Sequence, residues 1–530
     1  MGLIKNNPQH ILDIPLEMLV VLCIGLAFRV HSFVVSPVIN PDGALYIQQA
    51  RALWYGLKDQ ILACYSYLSI YPILIYLSHF LIRDWVVAAK AVSLFFGTLA
   101  MLPVFWLVRQ FMDRGYAAFC VLAIAVNPTY VAGSSSVLRD PVYWFFASFG
   151  VLICVLSLRK ERPEWMIISS VSMLLAAWAR IEAVVYIVGS LVFLLACSHL
   201  RWKNLFYFAL PLVLGAILGI GLLVLMGQTE LRLLGLYRVL AKTTGAFFYY
   251  HKIRTQLKDM VQYWSHIPGG YPMMHFFMWT RNLVWLIALA AIIVQIKRGF
   301  FWPVFLFFLV GWPYLKSSVR KSREITYLLV LGGMGFIALY VQILSGWAME
   351  SRFVALILIP LLFVVGYGAE YLAQTIRANF KWGKAACLLL FSIFLVIPGT
   401  YKERKAGVDQ DILLRHIGEF IAQREKGSQE VRIAGSLRRM QLIHFYANLP
   451  YRGAPCFDTS LWLKPHDTEA LDKSVQQGLS YFVWDEKHWT KEEIEHIARQ
   501  IRIKFKEMKS WQAPGFGEVR LFEVQRAGGK

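Results

Sequence analysis

The chain has 530 residues, 57% of them hydrophobic and only 16% charged, and its mean hydropathy is +0.51. A soluble domain carries about 25% charged residues and under about 50% apolar ones, so this composition excludes a soluble globular protein and describes an integral membrane protein with many spans. The formal net charge of +21 is carried by short loops between apolar segments, as the positive-inside rule requires, and no basic–aromatic platform of nucleic-acid type occurs.

Residues 14–36 form the first apolar segment. It lacks a small-residue cleavage site and reads as a retained first span. Next comes "SPVINPDGALYIQQARALWYG", residues 36–56, a turn at Asn40-Pro41-Asp42-Gly43 followed by a helix with Leu45, Tyr46, Trp54 and Leu57 on an interfacial face. Further apolar segments lie at 85–109, 115–133, 139–158, 165–179, 182–198, 204–226, 281–297, 301–315, 325–346, 353–375 and 384–401. A hydrocarbon core of about 30 Å takes roughly 20 residues of helix, so 165–179 and 301–315 are short and read as tilted, kinked or re-entrant.

Basic stretches at 109–114, 159–164, 199–203 and 377–384 mark cytoplasmic loops. Residues 37–84, 134–138 and 227–280 then face outward. The basic stretches 296–299 and 316–324 conflict if 301–315 crosses once. An odd total within 11–13 spans puts the C-terminus outside. From about residue 403 the composition turns polar, and "VRIAGS", "LSYFVWDE" and "GEVRLFEVQ" read as strands among helices. Residues 404–530 are therefore a small extracytoplasmic α/β domain. Of seven cysteines, Cys23, Cys120, Cys154, Cys197 and Cys387 fall in apolar segments, while Cys64 and Cys456 fall outside the membrane, where their pairing is open.

Four places carry candidate chemistry. Asp42 either caps its helix or is a carboxylate held anionic at a helix N-terminus, suited to a base or a metal ligand. Tyr46 on the same helix is a candidate donor contact. Arg139-Asp140-Pro141 opens the span after "NPTYVAGSSSVL", an ordinary helix start that also sets a second acid on the outward face. Arg180 and Glu182 interrupt "AAWARIEAVVYI". They form an ion pair in a turn between two short spans, or line a polar cavity open to the outside. Glu350 and Arg352 precede a span as interfacial anchors, or Arg352 grips a phosphate through its planar guanidinium. His275 and Arg281, with Tyr271, are further candidates at the mouth of the following span.

In order along the chain, "NPDGALYIQQA", "SIYPILIYLSHFL", "VSLFFGTLAMLPVFWLVRQF", "NPTYVAGSSSVLRDPVYWF", "WARIEA" and "ESRFVALILIP" resemble the C-type-fold membrane glycosyltransferases that use polyprenyl-phosphate sugars. The nearest group is related to protein O-mannosyltransferases and the lipid A aminoarabinose transferase. "VRIAGSLRRMQLIHFYANLPYRG" resembles their small external domain.

The resemblance implies a multi-span catalytic domain over residues 1–403 and an extracytoplasmic domain over 404–530, in a bacterial inner membrane. It implies inverting transfer of a monosaccharide from a polyprenyl-phosphate donor to an acceptor protein, lipid or glycan. Asp42 is then the base or metal-proximal acid, and Asp140 binds acceptor or metal. Arg139, Arg180 and Arg352, with Tyr46, hold the lipid phosphate. Glu182, Glu350, His275 and Arg281 support them. Many relatives carry an acidic pair in the first loop and often Glu at the second site. Here Gly43 follows Asp42 and the second acid is Asp140, so a divalent cation (Mg or Mn) at Asp42 and Asp140 is left open. The competing readings are a transporter or flippase of lipid-linked saccharides, an O-antigen-ligase-like transferase, and a membrane scaffold.

Overall fold

The structure, a computed structural model, describes residues 14–526 apart from 66, 198–199, 226–235, 316–321, 405–408, 458–462, 464–467, 488 and 514–516. Among the described residues eight helices are long and apolar enough to cross a membrane: Leu16–Val35, Trp85–Arg109, Asp140–Lys160, Arg201–Gly221, Tyr271–Phe300, Arg323–Gly346, Ser351–Phe380 and Lys384–Tyr401. A ninth arises if Arg114–Ala125 and Pro128–Ser135, bent by 62°, count as one broken span. The protein is a multi-span membrane protein.

The other apolar segments become short helices. Trp165–Ala179 has 15 residues, Val184–Cys197 has 14 and Trp302–Gly311 has 10. At about 1.5 Å per residue none reaches across a core of about 30 Å. An odd total within 11–13 spans was expected, more than the eight or nine found among the described residues, because apolar content does not report where a helix breaks. The outward stretch 227–280, expected as a loop, holds the 30-residue helix Leu236–Ser265 and the first residues of Tyr271–Phe300.

The chain divides into two compact units. The first comprises Met1–Ser32, Ser93–Ser135 and Arg139–Arg404. At its centre runs Ser351–Phe380, 89% buried along its most apolar stretch. The bent span has a local cause. Pro128 brings no N–H, and the Thr129 N–H donates to Asn127 Oδ1 (3.0 Å), not back into the helix. The Ala125 carbonyl, which Thr129 would otherwise serve, instead accepts from Arg29 Nη1 at 3.1 Å. Arg29 is fully buried in the first span and also donates to the Gly25 carbonyl at 3.0 Å. A cation beside the last carbonyls of a helix is favoured by the helix dipole.

The second unit comprises Phe33–Val92, Ser136–Leu138 and Lys405–Lys530. Its sheet holds β1 (Ile433–Gly435), β2 (Tyr481–Asp485), β3 (Ile503–Ala513) and β4 (Gly517–Arg526) in the order β1-β2-β4-β3. β1 pairs parallel with β2, and the other pairings are antiparallel. Phe482, Trp484, Trp489, Leu471 and Val475 form its core. The first outward loop is stitched into this unit. Arg51 donates to the carbonyls of Leu449 (2.9 Å), Asn448 (3.4 Å) and Tyr451, and Gln48 donates to the Pro455 carbonyl at 3.0 Å. Cys64 and Cys456 form a disulfide, with Cα atoms 5.1 Å apart.

Candidate active site

In the first unit the polar cluster begins at Asp140, the first residue of Asp140–Lys160, with Arg139 as N-cap and Pro141 in the first turn. A carboxylate there is favoured by the helix dipole, and this one is 1% exposed. Arg180 Nη1 pairs with Asp140 Oδ1, and Arg180 Nε stands 3.1 Å from Glu182 Oε2. Arg352 Nε lies 3.9 Å from Asp140 Oδ2, beyond hydrogen-bond range, and 3.0 Å from Glu350 Oε2. Two guanidinium groups from separate chain segments thus converge on one buried carboxylate.

The backbone explains why Arg180 is available. Trp165–Ala179 ends at Arg180, which is extended (φ −150°, ψ 114°), and a short 3-10 turn, Ile181–Ala183, leads into Val184–Cys197. The two helices are about 21–23 Å long. If the basic flanks read from the sequence as cytoplasmic share one face, helices of this length place the tip at Arg180 and Glu182 within the depth of a membrane core of about 30 Å. Ionisable side chains at such depth are costly and mark functional sites.

Several supporting residues carry no sequence signal. Phe353 sits beneath both arginines, its ring centroid 4.1 Å from Arg180 Cζ and 5.6 Å from Arg352 Cζ. Asn127 Nδ2 donates to the carbonyls of Gly299 (2.9 Å) and Phe300 (3.3 Å). Gly299 in turn packs on 351–354, where a Cβ would fall 2.7 Å from the Ser351 carbonyl oxygen. Thr129 Oγ1 and Ser351 Oγ are 3.4 Å apart. Tyr186 OH donates toward the Leu356 carbonyl at 3.0 Å, and its ring stacks on Tyr143 with centroids 6.4 Å apart. "NPT" and "ESRF" were visible in sequence, but an aromatic inside an apolar run looks like any other.

His275 and Arg281 are not brought to this cluster. They lie on Tyr271–Phe300, whose other end, at Gly299, packs on Val354. The separations of 24 and 18 residues amount to about 36 and 27 Å along the helix. His275 instead packs edge-on against Tyr271, with centroids 4.3 Å apart.

Asp42 and Tyr46 belong to the second unit. Asp42 is exposed in the first turn of Pro41–Tyr55, whose N-cap position is held by Asn40, so Asp42 does not itself occupy the cap. Tyr46 is buried, edge-on to Tyr65 and Tyr71 at 6.1 and 5.5 Å. Gly43 has a steric reason to stand where relatives carry a second acid: a Cβ there would fall 2.7 Å from Val137 Cβ.

A resident divalent cation needs converging donors. Among the described residues no group of three or more His, Cys, Asp and Glu side chains gathers. Asp140 directs one oxygen at Arg180 and stands beside Arg352, and guanidinium groups compete with a cation for those lone pairs. Within this unit Asp140, so engaged, is a poor lone ligand for a metal ion.

These features lie in the C-type membrane glycosyltransferase fold, which solved structures share. ArnT from Cupriavidus metallidurans in the apo state aligns with a TM-score of 0.56 at 10% identity, over 96% of this chain and 98% of that one. The same protein bound to undecaprenyl phosphate gives 0.52 at 11%, over 95% and 97%. The archaeal oligosaccharyltransferase AglB from Archaeoglobus fulgidus, in complex with an inhibitory peptide and a dolichol-phosphate, gives 0.55 at 13%, over 89% and 69%. AglB has also been solved with Zn and sulfate. At these identities the likeness establishes the fold. No family model matches the chain, and no curated protein sequence matches it.

Proposed function

We propose that this chain is a glycosyltransferase that moves a monosaccharide from a polyprenyl-phosphate donor to an acceptor at the outer face of a bacterial inner membrane. The single observation behind the reading is the convergence of Arg180 and Arg352 on buried Asp140, within a fold whose solved members include proteins bound to polyprenyl phosphates. That arrangement suits a phosphate. A guanidinium offers five N–H donors in a planar fork. The Glu350 side chain that pairs with Arg352 is 64% exposed, so a phosphate can displace it at the small cost of a surface ion pair.

The reaction then balances simply. The acceptor hydroxyl or amine attacks the anomeric carbon and gives its proton to a base, the role the sequence resemblance assigns to Asp42, and the bond from that carbon to the phosphate oxygen breaks. The polyprenyl phosphate leaves with the electron pair. Arg180 and Arg352 stabilise the charge it gains, in a site poor in water. Asp140 positions both guanidinium groups. In-line attack inverts the anomeric centre. No step is routed through a metal ion.

The test is consumption of a panel of polyprenyl-phosphate monosaccharides by purified wild type and by Asp42→Asn, with thermal melting as the folding control. The expected result is one donor consumed by wild type and a folded Asp42→Asn slower by about 10²- to 10⁴-fold, the usual contribution of a positioned base. Full turnover by Asp42→Asn would remove Asp42 from catalysis. Movement of donors across vesicles without consumption would make the protein a transporter.

A further inference from the structure

The second unit holds a cavity of about 720 Å³ that shares no residue with the Asp140 cluster. Its wall includes Phe33 and Val34, near the end of the first span, and Val86 and Val87, near the start of the second, so it opens at the membrane edge. Val34 is 70% exposed and Val87 is 40% exposed, an apolar surface suited to hydrocarbon.

The polar wall carries an unanswered charge. Lys90 is 3% exposed, and among the described residues its Nζ donates to the backbone carbonyls of Phe33 (3.3 Å) and Ser36 and lies 5.0 Å from the Phe33 ring centroid. Among the described residues no carboxylate pairs with it. A buried ammonium without an anion is strongly disfavoured. The carboxylates of the cavity are committed elsewhere. Glu419 Oε1 lies 2.6 Å from Arg415 Nε, and Asp84 Oδ1 accepts from the Val87 N–H at 2.8 Å, starting a helix. Arg415 also donates to the Pro37 carbonyl at 2.8 Å and lies over Tyr446, its Cζ 5.7 Å from the ring centroid. Lys90, which no carboxylate contacts among the described residues, and Arg415 therefore line a cavity that also carries the apolar side chains of Phe33, Val34, Val86 and Val87. The matching ligand is an amphiphile with a phosphate head.

We infer that this cavity binds an anionic membrane phospholipid, its phosphate on Lys90 and Arg415 and an acyl chain along Phe33, Val34 and Val87. The inference does not rest on the transferase reading. A lipid so placed braces the first outward loop against the helix Asp409–Glu425 within the unit.

The test is thermal melting of the purified full chain in detergent with added phosphatidylglycerol. The controls are diacylglycerol with the same chains and inorganic phosphate. Phosphatidylglycerol should raise the melting temperature by a few degrees, as any ligand selective for the folded state does, and neither control should match it. Lys90→Met removes the buried charge and keeps the side-chain volume. It should melt at or above wild type without lipid and lose the lipid-dependent rise. If Lys90→Met fails to fold, Arg415→Gln, at a more exposed position, should show the same loss. An unchanged rise in both variants would overturn the inference. So would an equal rise with diacylglycerol, which would make the cavity a tail groove, or with inorganic phosphate, which would make it a plain anion site.

Discussion

Arg180 and Arg352 both face Asp140, but their removal should have different consequences. Arg180 is buried and makes the direct ion pair. Arg180→Leu leaves buried Asp140 with only Arg352, 3.9 Å away and beyond hydrogen-bond range, and breaking a buried pair costs about 3–5 kcal/mol. A clear fall in melting temperature should accompany lost activity. Arg352 is partly exposed and pairs with exposed Glu350. Arg352→Ala should melt close to wild type and raise the donor KM by about 10- to 100-fold, the range expected for charge-assisted hydrogen bonds of about 1.5–3 kcal/mol. Arg352→Lys should recover part of that loss. Equal melting losses for both variants would show that Arg352 is structural. Gly43 makes a third case. Gly43→Asp restores the acidic pair of the relatives but drives a Cβ to 2.7 Å from Val137. It should lower the melting temperature and leave activity no higher, whatever divalent cation is added. The places of Asp42 and Asp140 in the first turns of their helices were legible because acids beside proline at the ends of apolar runs stand out. The contact of Phe353 with both arginines was not, since nothing local tells an aromatic that underlies a guanidinium from one that fills a span.

At the scale of elements, helix ends were read well where a proline or a charge marked them, and poorly where a helix stopped inside an apolar run. β1, β2 and β4 fall within stretches read as strands. β3 was not among them, although "IKFKEM" begins with the apolar–polar alternation of a strand, and its lysines stand on the sheet edge, where lysine guards against further pairing. The helix Met440–Ala447, beside β1, carries a pH-sensitive residue that no motif announces. His444 is 2% exposed, and burial, helped by the charge of Arg432, pushes its imidazole down to about 4. It is neutral in the folded state above that value, whereas an unfolded chain protonates it below about 6.5. Its contribution is therefore constant above about pH 6.5 and is lost as pH falls toward 4. Over that interval the loss is about 3 kcal/mol, at about 1.4 kcal/mol per pH unit. Melting curves from pH 7.5 to 4.5 should fall more steeply for wild type than for His444→Gln. Parallel curves would show that His444 protonates in place.

For the whole molecule, composition alone specified a multi-span membrane protein, and the ordered motifs pointed to its fold. The grouping of residues 33–92 with 405–530 could not be read, because no local pattern links segments nearly 400 residues apart. The Cys64–Cys456 disulfide makes that grouping testable. It joins residues separated by 392 positions, and a closure this long removes much entropy from the unfolded chain. Chain-entropy reasoning puts native disulfides at about 2–4 kcal/mol, with the largest values near 5. Cys456→Ser should therefore melt several degrees below wild type, and a reductant should bring wild type down to the variant. The same bond reports the compartment. Disulfides persist in oxidising surroundings and are rare in the cytosol. If the first loop and the C-terminal region face the outside, Cys64 and Cys456 should resist alkylation in intact membranes until a reductant is added. Cys23, exposed in the structure, should label without reduction once detergent gives access. Should both cysteines label freely beforehand, residues 33–92 and 405–530 lie on the reducing side, and the outward placement of Asp42 falls with them.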